Sequence, residues 1–180
     1  QLTNIENGAC QPSWSPDGTR LVFISPCQRR VDSPRESYTD TSLFMINADG
    51  SGLKQLMNTP GADFDPAWSP DGKRIAFASL RDGIKQLYLF DVATQSVIRL
   101  TLPDVNIEHS QPAWSPDGLQ IVFVSPCRLR VDTPYQSYSD TSLFLINADG
   151  TGLNQLTNVP GADFEPDWSP DGQQIAFTSI

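Results

Sequence analysis

The stretch WSPDG at Trp14–Gly18 returns at Trp68–Gly72, Trp114–Gly118 and Trp168–Gly172. Within it, Pro fixes φ for the first turn position, Asp suits the second, and Gly takes the left-handed site that follows. A short run carrying the Trp precedes each turn. After it comes RLVFIS (20–25), RIAFAS (74–79), QIVFVS (120–125) or QIAFTS (174–179), rich in β-branched and aromatic residues. Each WSPDG therefore predicts the tip of a β-hairpin. A third run follows in three of the four cases: SLFMIN (42–47), QLYLFD (86–91) and SLFLIN (142–147). A fourth reads LKQLM (53–57), VIRLT (97–101) or LNQLT (153–157), and ADGSG or ADGTG turns the chain ahead of the first and last of these. No amphipathic helix of three turns is legible.

The tryptophans are spaced by 54, 46 and 54 residues, so the larger unit is 100 residues, and most of 11–80 is repeated at 111–180. Four antiparallel strands every ~40–50 residues is the period of a propeller blade. A lone four-stranded sheet leaves a face bare, whereas stacked blades cover each other. A recurring indole suits that contact, where an aromatic side chain buries ~150–250 Å². The expected fold is all-β: one β-propeller over 1–180, with four-stranded antiparallel blades at about 11–57, 65–101, 111–157, and 165–180 together with 1–3. The last blade is incomplete, because QLT at 1–3 matches a fourth strand and no third strand stands between it and 165–180. That gap is open to three readings: a piece of a longer chain, copies that complete one another's open sheets, or an isolated ring with one defective blade.

The pattern P-x-WSPDG, IAF-x-S, LF-x-INADG-x-G and QLT resembles the β-propeller repeat of the TolB type, the WD-like class marked by a Pro-Asp turn. The resemblance spans essentially the whole chain. It implies a ring of blades, commonly six or more, with the first strand innermost. It implies no activity, because this repeat serves periplasmic TolB proteins, propellers attached to serine peptidases and extracytoplasmic receptor domains.

A net charge of −9 argues against nucleic acid and anionic membranes, which need a cationic surface. No apolar run approaches the ~20 residues of a membrane span. The chain opens on QLTNIENGAC with no legible signal peptide, and it contains no N-x-S/T sequon.

Two groups of residues are candidates for binding. Alternate blades are longer because of the loops at 26–41 and 126–141, which join the second and third strands opposite the SPDG turns. They carry Arg29, Arg30, Asp32, Arg35, Glu36, Tyr38 and Asp40, then Arg128, Arg130, Asp132, Tyr135, Tyr138 and Asp140. Such a mixture suits a protein interface, or Arg–Asp pairs that order the loops internally. The second group is Gln11, Asp65, Gln111 and Glu165, each before a proline of a first strand and expected near the central axis. The resemblance implies that partner peptides engage this end of the ring. The acids there, with Asp63 and Asp163 nearby, could hold a cation or a basic segment, or simply line a hydrated tunnel. NADGSG has too few acids for a calcium loop and reads as a turn.

Cys10 and Cys27 sit symmetrically about the turn at 15–18 and should face each other as a disulfide, which would point to an oxidising compartment, periplasmic or extracellular. Ser110 stands where Cys10 does in the other unit, leaving Cys127 as a free thiol; three unrelated buried thiols is the alternative. His109, the single histidine, lies in a blade connection and reads as a solvated loop residue. No G-x-S-x-G, H-E-x-x-H, Cys-x-x-Cys or Gly-rich phosphate loop is present. The sequence thus predicts a non-enzyme without cofactor or metal: a scaffold that binds a protein or peptide on its loop face. The alternatives are a self-assembling structural module and an accessory propeller of a larger hydrolase or receptor.

Overall fold

Each WSPDG hairpin closes on its own aspartate. Ser15 Oγ donates to Asp17 Oδ1 at 2.6 Å, and the same oxygen accepts the Thr19 N–H at 3.0 Å. Gly18 follows at φ 68°, a conformation that a side chain would strain. The Ser–Asp bond recurs at 2.6 Å in 69/71, 115/117 and 169/171. These bonds stabilise the ionised form and hold the Asp17 carboxyl down to about 2, with Ser15 the largest cause. Asp49 likewise accepts the N–H and hydroxyl of Ser51, so ADGSG is a turn.

The computed structural model describes residues 1–5, 8–27, 41–101, 107–125, 141–158 and 161–180. Among them are fourteen strands and no helix. One sheet holds β1 (Cys10–Trp14), β2 (Arg20–Ser25), β3 (Ser42–Asn47) and β4 (Lys54–Gln55). A second holds β5 (Asp63–Trp68), β6 (Arg74–Ser79), β7 (Gln86–Asp91) and β8 (Val97–Arg99). A third holds β9 (Ser110–Trp114), β10 (Gln120–Ser125), β11 (Ser142–Asn147) and β12 (Asn154–Gln155), and β13 (Asp163–Trp168) pairs with β14 (Ile175–Ser179) alone. All pairings are antiparallel between consecutive strands. The first strands β1, β5, β9 and β13 touch in that order and form the inner edge of an arc of propeller blades. Gln1–Thr3 form no strand, contrary to the sequence expectation, since no third strand stands beside them to pair with. They keep the expected place, however. The Leu2 carbonyl lies 3.5 Å from a Cβ built on Gly50, as the Leu100 carbonyl lies 3.2 Å from one on Gly150.

The core lies between blades. Along β2, β6 and β10 every apolar side chain is buried, because each strand has a sheet neighbour on both edges; β6 and β10 have a blade on each face, whereas β2 has a blade on one face and Ile5 packed on the other. Three of the four indoles, Trp68, Trp114 and Trp168, seat on the blade before them. Arg20 of β2 stacks over Trp68 at 4.9 Å, and Arg74 of β6 over Trp114 at 4.8 Å. Trp114 Nε1 donates to the Ala67 carbonyl at 3.1 Å, and Trp168 Nε1 to that of Ala113 at 3.3 Å. Trp14 breaks the expectation that all four indoles are buried. It is 52% exposed, whereas Trp68 and Trp114 are 7% and 9% exposed, because no blade stands on its side.

Cys10 and Cys27 are bonded, with Cα atoms 5.7 Å apart, and close the hairpin at its open end. Cys127 lies outside the described residues.

Two outcomes follow. Trp114→Ala should cost about 3–5 kcal/mol in urea unfolding, whereas Trp14→Ala should cost less than about 1. Reducing the disulfide should cost about 3 kcal/mol, and thiol titration of unfolded protein should find one thiol before reduction and three after.

Candidate functional site

The residues before the four first-strand prolines share one unusual backbone state. Gln11, Asp65, Gln111 and Glu165 have φ of 51°, 51°, 52° and 51°. Residues other than glycine rarely adopt this conformation, and a following proline disfavours helical geometry. Strain of roughly 1–3 kcal/mol per site is the usual cost. The cause is a bulge in each first strand. In β1, Cys10 faces Ile24 and Ser13 faces Val22, so Gln11 and Pro12 together oppose one residue. Proline suits that place because it has no ladder N–H to lose.

Hydrogen bonds running from blade to blade hold the bulges. Gln11 Oε1 accepts the Asp65 N–H at 2.8 Å, Asp65 Oδ2 accepts the Gln111 N–H at 3.2 Å, and Gln111 Oε1 accepts the Glu165 N–H at 2.8 Å. Gln11 Nε2 also donates to Asp65 Oδ1 at 2.6 Å. The four residues singled out in the sequence are thus brought together along the inner edge, as polar stitching between adjacent blades. Burial raises the Asp65 carboxyl above the ordinary carboxylate range, outweighing nearby Lys85 and the hydrogen bonds from Gln111 and Gln11. Glu165 is exposed.

Asp63 and Asp163 do not join this group. Asp63 is 1% exposed and held by Arg81 at 3.1 Å, and Arg81 stacks on Phe77 and Tyr88. Asp163 is equally buried and accepts the Thr157 hydroxyl. His109 is a correction: it is 7% exposed, packed edge-on against Phe123 at 5.2 Å, with its backbone N–H bonded to the Lys85 carbonyl. It directly precedes β9 and is buried by its contact with Phe123 of β10, which a loop reading of the connection overlooked. Among the described residues no three His, Cys, Asp or Glu side chains converge as a metal site.

The long-loop candidates Arg29, Arg30, Asp32, Arg35, Tyr38 and Asp40, and Arg128, Arg130, Asp132, Tyr135, Tyr138 and Asp140, lie outside the described residues. Their anchors do not. Thr41 closes the first loop; its carbonyl accepts the Asp63 N–H at 2.9 Å and its hydroxyl donates to the Asp63 carbonyl at 2.8 Å. Thr141 does the same with Asp163, at 3.0 and 2.9 Å. Both threonines are buried. Each long loop therefore leaves one blade and ends clamped to the next. The disulfide and the Ser25 hydroxyl bond to the Gly8 carbonyl fix the first loop's other foot. The repeated Asp-Thr-Ser at 40–42 and 140–142 was the signal for this, and sequence reasoning passed over it.

The model of the TolB beta propeller domain matches residues 1–132. The Tol-Pal system protein TolB of Bordetella pertussis is 33% identical over 163 residues, which cover 90% of this chain and 34% of that protein. The dipeptidyl-peptidase 5 of Porphyromonas gingivalis is 43% identical over 75 residues, 41% of this chain and 10% of that one. The crystal structure of TolB from Acinetobacter baumannii shares the fold with a TM-score of 0.69 at 24% identity, covering 97% of this chain and 38% of that chain. The chain spans about a third of the length of the TolB relatives it matches.

Gln111→Ala should cost about 1–2 kcal/mol, by leaving the Glu165 N–H without its acceptor. The raised Asp65 pKa means that the folded chain holds this proton more tightly than the unfolded one. Its contribution is greatest at low pH, falls as pH rises from the ordinary carboxylate value to the folded one, and is constant above that. Relative to the parent, Asp65→Asn should therefore gain stability as the pH rises above about 4, and level off at higher pH, in parallel urea melts.

Proposed function

This chain belongs to the TolB beta propeller domain family, and on that premise we propose that it is a non-catalytic module that binds a protein or peptide on its loop-bearing face. The observation that carries the reading is the double anchoring of the long loop on two blades, through Thr41 on Asp63 and the Cys10–Cys27 disulfide. The two anchors fix where the loop leaves and rejoins the sheet, so its residues are tethered to the loop-bearing face of the scaffold. Arg29, Arg30, Tyr38, Arg128, Arg130, Tyr135 and Tyr138 would supply the contacts, by hydrogen bonds and aromatic packing without bond making. The inner-edge residues Gln11, Asp65, Gln111 and Glu165 would form the polar floor beside them. A disulfide fits an oxidising compartment, so the proposed setting is periplasmic or extracellular.

A second reading has one observation in its favour: the match to part of a dipeptidyl-peptidase. In that case the propeller would serve as the accessory domain of a hydrolase, still without chemistry of its own.

The test is capture from a periplasmic extract on the immobilised chain, followed by calorimetry with the purified partner. Arg29→Ala combined with Arg30→Ala should weaken binding at least tenfold, or about 1.4 kcal/mol. An unchanged Kd for that variant would contradict the assignment to the loop face.

A further inference from the structure

We propose that Asp82–Gly83 is a modification site: the Asp–Gly pair of this chain at which the folded backbone isomerises spontaneously through a cyclic imide. The sequence holds seven such pairs, at 17–18, 49–50, 71–72, 82–83, 117–118, 149–150 and 171–172. In each, the glycine has no side chain to hinder attack by its own nitrogen on the preceding carboxyl carbon. Sequence alone ranks the seven equally, and the fold separates them.

Six of the carboxylates are clamped. Asp17 Oδ1 accepts the Ser15 hydroxyl, the Thr19 N–H and the Thr19 hydroxyl. Asp71, Asp117 and Asp171 each accept a serine hydroxyl from two residues before at 2.6 Å. Each also accepts the N–H from two residues after, at 2.9–3.0 Å. Asp49 and Asp149 accept the N–H and hydroxyl of Ser51 and Thr151, between 2.6 and 2.9 Å. A carboxylate pinned in this way is not free to turn onto the nitrogen next to it. The same bonds favour the ionised form and hold all six carboxyls below their ordinary range. An ionised carboxylate is a poor electrophile, because the oxygen it must expel leaves as water only when protonated.

Asp82 has no such clamp. Leu80 and Ile84 stand at the two flanking positions and carry no hydroxyl. The Asp82 side chain is 53% exposed, and its contacts fall on Oδ2: the Tyr88 hydroxyl at 2.5 Å and Arg99 Nη1 at 3.4 Å. Among the described residues Oδ1 accepts no bond. An ion pair this exposed restrains little. The nucleophile is held alike in all seven pairs, since each glycine N–H donates to the carbonyl three residues before it at 2.8–2.9 Å. The carboxyl therefore makes the difference.

In the reaction the Gly83 nitrogen bonds to the Asp82 carboxyl carbon. The carboxyl OH leaves as water, taking the amide proton. Water then opens the ring at either carbonyl. One opening restores Asp82; the other routes the backbone through the β-carboxyl and adds a methylene to the chain. No oxidant or cofactor enters. The change falls in the connection from β6 to β7, the counterpart of the long loops, on the loop-bearing face. Lys85 of the same connection holds the His109 N–H of the next blade. The inference uses no residue of 26–41 or 126–141 and is independent of the binding role proposed for those loops.

The test incubates the folded chain at mildly acidic pH in water enriched in heavy oxygen, then maps its peptides by mass spectrometry after digestion in ordinary water. Each imide that opens takes up one heavy oxygen. Label and isoaspartate should accumulate at Asp82 at least severalfold faster than at any of the other six aspartates, and the seven rates should converge in urea. Ser51→Ala, which removes a clamp, should raise the rate at Asp49. Ile84→Ser, which supplies a hydroxyl at the clamping position, should lower the rate at Asp82, with melting curves showing that both variants fold. A rate at Asp82 no greater than at the other six in the folded chain, or an unchanged rate at Asp49 in Ser51→Ala, would overturn the proposal.

Discussion

A four-stranded sheet of this size has two faces and no means of covering either by itself. The whole molecule depends on one answer: an indole carried by the first strand of each blade rests on small residues of the blade before. Three joints of this kind set the spacing of the inner strands, and the apolar side chains of β6 and β10 are buried because a blade stands on either side. The arginine that stacks over two of these indoles adds a directional element to a contact that is otherwise a matter of area.

The polar stitching on the inner edge depends on the same spacing. A left-handed residue before proline is unfavourable taken alone. Here it aims a side chain at the next blade's N–H, and the bond so made recurs three times. Strain within a strand is offset by a bond between blades, so the inner edge is stable only as part of the arc. The half-buried Asp65, which accepts from both neighbours, is where the two demands meet most sharply.

Much of this was legible beforehand because the repeat writes it four times. WSPDG fixed the hairpins, the alternating runs fixed the strands, and the symmetry of Cys10 and Cys27 about the turn pointed to their bond. Gln11, Asp65, Gln111 and Glu165 stood out by position, but the N–H acceptor role did not, since it depends on a bulge that no local propensity announces. Burial of His109 was missed because its neighbours look like a loop; the deciding contact, Phe123, is on another strand. The exposure of Trp14 was missed because a repeat argument treats all blades alike, and exposure is decided by what stands beside each one. The threonine anchors of the long loops were visible as a repeated triplet and overlooked, because their partners are backbone groups of the next blade.

Fluorine NMR of fluorotryptophan-labelled protein in its monomeric state tests the central claim most directly, with each resonance assigned by a Trp→Phe variant. On transfer to heavy water, the Trp14 resonance should show a large solvent isotope shift, those of Trp68 and Trp114 almost none, and that of Trp168 a value between. Four equal shifts would mean that the indoles do not hold the blades together.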